Sequence, residues 1–96
     1  MDNRQMQASL IAEEHLEFLH AHDHEDRCSC LKELADLVYV CFQYADNLGW
    51  DLDEAMKRVH ESNMSKLDSD GTPIYREDGK VLKGPHYFPP HLGNLV

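Results

Sequence analysis

The sequence has few basic residues. Its 96 residues include nine lysines and arginines and eighteen aspartates and glutamates, which gives a formal net charge of −9 with neutral histidines. Proteins that bind nucleic acids hold the phosphate backbone with clustered lysine and arginine side chains. The composition therefore argues against a polynucleotide partner.

Long apolar runs and a disulfide framework are also missing. The longest apolar stretch, residues 34–45, contains Asp36 and Gln43, whereas a membrane-spanning helix needs about 20 predominantly apolar residues. The N-terminal residues lack the charged-then-apolar layout of a secretion signal. Three cysteines are an odd number, and Cys41 lies in an apolar helical run, which is typical of a reducing compartment. We expect a cytoplasmic protein without a membrane partner or disulfides.

The hydrophobic pattern predicts an all-α fold with helices over residues 3–21, 29–47 and 52–64. The polar residues 20–30 are expected to form a loop, and Gly49 and Asp51 are expected to cap the helices on either side of the second break. The second helix is apolar on nearly every face, which is typical of a helix buried on all sides. Two short helices cannot surround it. We therefore expect an antiparallel bundle of three main helices per chain, completed by a homodimer or a dimer of dimers.

Glycine and proline become frequent after Leu67, which excludes further long helices. Residues 72–76 and 80–83 are expected to pair as a small hairpin, because the intervening Asp78-Gly79 favours a tight turn. The remainder is expected to be an extended tail. The predicted organisation is a helical catalytic domain over residues 1–67, with residues 68–96 as a tail of the same domain.

Two groups of carboxylates interrupt the apolar pattern. Glu13, Glu14 and Glu17 lie on the first predicted helix, and Glu33 and Asp36 lie on the second. If these helices pack antiparallel across a short connection, both groups can converge. Clustered carboxylates repel one another, and hard divalent cations such as Mg²⁺ offset that repulsion. The alternative is a solvated acidic face, which is common on amphipathic helices.

These motifs carry a family resemblance. Glu13-Glu14-x-x-Glu17, a gap of fifteen residues and Glu33-x-x-Asp36 resemble the EExxE…ExxD signature of the MazG-like all-α nucleoside triphosphate pyrophosphohydrolases, the superfamily that includes phosphoribosyl-ATP pyrophosphohydrolases. The segments SNMSK and GTPIYREDGKVLKGPHYFPP resemble short, often phage-borne members, which would place the protein in the host cytoplasm. Only twelve residues precede Glu13, so most of the usual leading helix is missing, and a partner subunit is expected to complete the base pocket.

The resemblance implies magnesium-dependent hydrolysis of a (d)NTP to the (d)NMP and pyrophosphate, with Mn²⁺ as a possible substitute. It implies that the metal ligands are Glu14, Glu17, Glu33 and Asp36, and that the catalytic residues are Glu13 and Glu14. Asn63 and Lys66 match nucleotide-contacting positions. Two alternatives stay open: an enzyme like phosphoribosyl-ATP pyrophosphohydrolase, and a non-catalytic helical interaction protein.

Charge alone adds two further substrate-binding candidates, Lys80 and Lys83, because they are available donors for triphosphate oxygens in an otherwise acidic chain. A second group of potential metal ligands carries nitrogen and sulfur atoms, which suit zinc, nickel or copper. Its members are His20, His22, His24, Cys28 and Cys30. Their spacing matches no standard closed zinc motif, and we expect them to lie in a polar loop without a physiological metal.

Overall fold

The computed structural model describes residues 3–96. Its elements are the helices α1 (Asn3–His24), α2 (Arg27–Asn47) and α3 (Leu52–Met64), the strands β1 (Ile74–Tyr75) and β2 (Val81–Leu82), and a single 3-10 turn at Gly93–Leu95. The predicted all-α class is confirmed, since the only sheet in these residues is one two-stranded antiparallel hairpin. The chain divides into two compact units, the first ending at Trp50 and the second spanning Asp51–Val96. The predicted division after residue 67 stays a prediction.

The first unit is a pair of antiparallel helices. The side chain of Asn3 donates a 2.7 Å hydrogen bond to the side chain of Asn47, and this bond joins the first turn of α1 to the last turn of α2. Its fully buried apolar residues are Ala21 and Ala45, whose small side chains allow the helix backbones to approach closely. Much of the remaining apolar surface of this unit is exposed, including Leu16, Leu31, Leu34, Val38 and Tyr39.

The predicted loop over residues 20–30 is mostly wrong. Helix α1 continues to His24, and α2 already begins at Arg27. Asp26 is the N-cap of α2: its side chain accepts a 2.8 Å hydrogen bond from the backbone N–H of Ser29. This last part of α1 is exposed apart from Ala21, so it shows no apolar period even though it is helical.

The second unit begins with α3, whose bounds agree with the prediction. The carboxylate of Asp51 accepts a 3.0 Å hydrogen bond from the backbone N–H of Glu54, so the predicted N-cap is confirmed. The reciprocal half of a capping box does not form, because the Glu54 carboxylate accepts from Nε of Arg58 at 3.0 Å.

At the end of α2, Gly49 adopts a φ of +72°, which is the left-handed conformation predicted for a glycine C-cap.

The tail forms the predicted hairpin and then returns to α3. Ile74 pairs with Leu82 and Tyr75 with Val81, and Gly79 supplies the positive φ of +88° that the turn requires. Further along, the Ser62 hydroxyl donates a 2.8 Å hydrogen bond to the carbonyl of Phe88. The tail is therefore attached to α3.

Among residues 3–96, no helix is long and apolar enough to cross a membrane.

Candidate active site

Three glutamates of the first unit converge on one point. Glu14 and Glu17 lie one turn apart on α1, and Glu33 comes from the antiparallel helix α2. One carboxylate oxygen from each lies within 4.8 Å of the other two. The helical spacing and the short connection between α1 and α2 thus bring together three of the four residues that the sequence suggested as metal ligands.

Two oxygens of this glutamate cluster, Oε2 of Glu14 and Oε2 of Glu33, are buried and have no hydrogen-bond partner within residues 3–96. A buried polar oxygen without a partner is costly. A hard divalent cation with a preference for oxygen ligands offsets that cost, and an all-carboxylate donor set suits Mg²⁺ or Mn²⁺ better than zinc or copper. The side chains present therefore fit a hard divalent cation.

The cluster also changes the acidity of Glu14. Burial raises the pKa of the Glu14 carboxyl above its usual value, and the negative charges of Glu17 and Asp36, a hydrogen bond with Glu17 and the charge of Glu33 raise it further. All these causes disfavour the ionised carboxylate. A cation placed among the same groups would reverse the electrostatic effect and favour ionisation.

Asp36 is held by a residue that the sequence reasoning missed. The ammonium of Lys32 lies 2.7 Å from Oδ2 of Asp36 and 3.4 Å from Oε1 of Glu33. The hydrogen bond to Asp36, with the charges of Asp36 and Glu33, raises the pKa of Lys32 to about 12. Asp36 therefore stands outside the three-glutamate group, although its charge acts on Glu14. The signal in the sequence was the spacing of four residues between Lys32 and Asp36, which pairs them on one helix face.

Glu13, the other catalytic candidate, is exposed and does not belong to the glutamate cluster. The histidines and cysteines at the α1–α2 junction do not gather either: within residues 3–96, the glutamates are the one group of three or more metal-ligating side chains that converges. His20 and His24 lie one turn apart on α1, with ring centroids separated by 4.8 Å.

In the second unit, three of the four substrate-binding candidates line one cavity of about 490 Å³. They are Lys66, Lys80 and Lys83, and Arg76 joins them. Asn63 lies on α3, is exposed and does not line this cavity. Arg76 was missed by the sequence reasoning, although the predicted hairpin turn brings it opposite Lys80.

Comparison with protein families gives a match. The family model described as phosphoribosyl-ATP pyrophosphohydrolase matches residues 2–63, which contain Glu14, Glu17, Glu33 and Asp36. The match ends before the hairpin and its basic cavity. A comparison with curated proteins finds no match.

Proposed function

The chain belongs to the phosphoribosyl-ATP pyrophosphohydrolase family, within the MazG-like superfamily, and from that premise we propose that it hydrolyses a (d)NTP to the (d)NMP and pyrophosphate with Mg²⁺. The family supports a pyrophosphohydrolase activity. The observation that carries the proposal is the glutamate cluster, in which Glu14 and Glu33 each present a buried oxygen that has no hydrogen-bond partner among residues 3–96. If the glutamates formed only a solvated acidic face, these two oxygens would be exposed to water instead of buried.

In this mechanism, the glutamate cluster would hold the metal, and Glu13 would accept the proton of the attacking water. When bound, a divalent cation neutralises phosphate oxygens and makes a coordinated water more acidic. Glu14, Glu17 and Glu33 would hold the cation through their converging oxygens, and Asp36 would add a fourth carboxylate if its ion pair with Lys32 opened. The water oxygen forms a bond to the α-phosphorus, and the bond from that phosphorus to the bridging oxygen breaks to release pyrophosphate. The family resemblance makes Glu13, which is exposed outside the cluster, the proposed acceptor of the water's proton.

A second candidate substrate is phosphoribosyl-ATP, which is favoured by the description of the matched family. It carries the same triphosphate chain, so the glutamate cluster can serve either substrate. The side chains that converge in the first unit are all carboxylates, which hold phosphates through a metal, and both substrates share that triphosphate.

The test is pyrophosphate release from a panel of NTPs, dNTPs and phosphoribosyl-ATP, with Mg²⁺ and with EDTA. We expect turnover of at least one (d)NTP with Mg²⁺, its loss in EDTA, and its loss in Glu33→Gln. The matched control is Glu25→Gln, which removes an exposed carboxylate outside the cluster and should retain full activity. Turnover of phosphoribosyl-ATP alone would favour the second candidate, and no turnover of any substrate would favour a non-catalytic interaction protein.

We also propose that the protein is a homodimer or a dimer of dimers in which α2 lies at the interface. The exposed fractions are 67% for Leu31, 47% for Val38 and 67% for Tyr39. Together with Leu34, Ala35 and Phe42, these side chains line an open apolar groove along α2. Exposed apolar surface of this kind is unfavourable in water and typical of a protein interface.

A further inference from the structure

The basic residues of the C-terminal segment gather in one place. Residues 66–96 contain four lysines and arginines and four aspartates and glutamates, so the segment as a whole is balanced. All four basic residues nevertheless line the same cavity, which has a volume of about 490 Å³; they are Lys66, Arg76, Lys80 and Lys83. We call this cavity the basic cavity. Its volume is that of a small-molecule binding site, and its basic lining contrasts with a chain of net charge −9.

The charges of the basic cavity are only partly neutralised by the protein. The guanidinium of Arg76 forms an ion pair with Asp78. Lys66, Lys80 and Lys83 form no ion pair with any residue from 3 to 96. The ammonium of Lys83 lies 4.8 Å from the centroid of the Tyr87 ring, a contact that holds a cation without removing its charge. Three lysine charges are therefore available to a ligand.

The hairpin turn places Arg76 and Lys80 opposite each other. The backbone N–H of Arg76 donates a 2.7 Å hydrogen bond to the carbonyl of Lys80, so these residues lie opposite each other at the turn. The Arg76 charge is offset by Asp78, so the charge at this point that is unpaired within residues 3–96 is the ammonium of Lys80. An unpaired ammonium favours an anionic ligand over a neutral one.

Close backbone packing occurs at Lys66 and beside Lys83, two of the lysines that line the cavity. A Cβ atom placed on Gly84 would lie 2.5 Å from the carbonyl oxygen of Lys66 and 2.6 Å from that of Leu67. These separations are below van der Waals contact, so glycine is required for the chain after β2 to lie against residues 66 and 67. The same packing keeps Lys83 and Lys66 at one cavity, although sixteen residues separate them in sequence. The arrangement of the lysines thus follows from the fold rather than from chance proximity on a mobile tail.

We propose that the basic cavity binds an oligophosphate, a chain of linked phosphate groups, which either a nucleoside triphosphate or a free oligophosphate can supply. The proposal rests on the cavity alone. Lysine ammonium groups bind phosphate oxygens as charged hydrogen-bond donors, and several of them around one cavity suit several linked phosphates better than a single one. The family match ends at residue 63, before all four of these residues.

Binding is tested with inorganic tripolyphosphate in EDTA, by isothermal titration calorimetry on the full chain. We expect Lys80→Gln and Lys83→Gln each to weaken binding about tenfold, the effect of losing one charged hydrogen bond. Both side chains are exposed, so these variants should fold, and circular dichroism checks this. The control is Lys57→Gln, which removes the same charge from the exposed surface of α3. Equal weakening in the control, or no binding to the unchanged protein, would overturn the proposal.

The identity of the occupant is tested by steady-state kinetics with Mg²⁺ and the best nucleotide of the panel. A raised KM with retained kcat in Lys80→Gln, together with competitive inhibition of the unchanged enzyme by tripolyphosphate, assigns the cavity to the substrate. An unchanged KM in a variant that has lost tripolyphosphate binding would overturn that assignment and leave a free oligophosphate as the occupant. Tripolyphosphate binding without turnover of any nucleotide would mean that the proposed function fails while the oligophosphate site stands.

Discussion

The ammonium of Lys32 lies 2.7 Å from Oδ2 of Asp36, one turn further along α2. The same ammonium is 3.4 Å from Oε1 of Glu33, a member of the glutamate cluster. A positive charge of the chain therefore lies directly beside the proposed metal site. Asp36 cannot give the same oxygen to Lys32 and to a cation, and a positive charge at this distance also repels a second cation.

Replacing this lysine should make the metal easier to bind. In Lys32→Gln, we expect the Mg²⁺ concentration that gives half-maximal turnover to fall by roughly twofold to fivefold, the effect of one exposed ion pair. The measurement is a Mg²⁺ titration of pyrophosphate release. Arg27→Gln is the control, since it removes an exposed cation from the first turn of the same helix. A higher Mg²⁺ requirement in Lys32→Gln would mean that the lysine assists metal binding instead of competing with it.

Removing the charge of Glu14 should lower the activity without lowering the stability of the fold. Glu14→Gln keeps the size of the side chain, and it removes a carboxylate that burial and three neighbouring acids disfavour. Without metal near pH 7, its free energy of unfolding should equal or exceed that of the unchanged protein, because like-charge repulsion falls. Its Mg²⁺-dependent turnover should fall by several orders of magnitude. Urea unfolding in EDTA and pyrophosphate release measure the two effects, and near-normal turnover would exclude Glu14 from the site.

The raised pKa of Glu14 also predicts a pH dependence. In the folded protein without metal, the pKa of this carboxyl lies above 4.5, the value taken for the unfolded chain. The ionised Glu14 carboxylate therefore destabilises the fold most at pH values above the raised pKa. The free energy of unfolding rises as the pH falls towards 4.5, because the carboxyl becomes protonated. The stability difference between Glu14→Gln and the unchanged protein should shrink over that range. Thermal unfolding in EDTA at a series of pH values measures it, and a constant difference would contradict the assignment.

The sequence was most informative where local periodicity determines the structure. The spacing of Glu14 and Glu17 places both on one face of a helix, and the short connection to α2 brings Glu33 to them. The end of α1 was missed for the same reason: its last turn is exposed, and an exposed helix has no apolar period that would distinguish it from a polar loop.

Other features depend on contacts that the sequence pattern does not reveal. The charge argument singled out Lys80 and Lys83, but it could not show that Lys66 and Arg76 line the same cavity. That arrangement requires the close approach of Gly84 to the backbone of residues 66 and 67, which is a tertiary contact. Likewise, the family resemblance implied that Asp36 is a metal ligand like Glu14, Glu17 and Glu33, whereas the structure pairs Asp36 with Lys32.

The close approach of Gly84 gives a test that changes no charge. Gly84→Ala places a methyl group 2.5 Å from the carbonyl oxygen of Lys66, so the backbone has to shift, at a cost of about 1–3 kcal/mol. We expect weaker tripolyphosphate binding although all four cations are retained. Gly93→Ala is the matched control, because a Cβ there meets nothing within 4 Å. Unchanged binding in Gly84→Ala would mean that the lysines act through charge alone and that their arrangement is unimportant.

The proposed subunit interface is tested on α2, where neighbouring residues differ in burial. Val38 is 47% exposed, so Val38→Asp should leave the single chain folded while placing an unpaired charge in the interface. The dissociation constant of the oligomer should rise at least about a hundredfold. Gln43→Asp is the control: it adds the same charge at an exposed position, about 140° around the helix from Val38. Leu37→Asp changes a half-buried residue and should also destabilise the single chain. Light scattering at micromolar concentration, with circular dichroism as a check of folding, distinguishes these results, and a folded monomer of the unchanged protein would refute the interface.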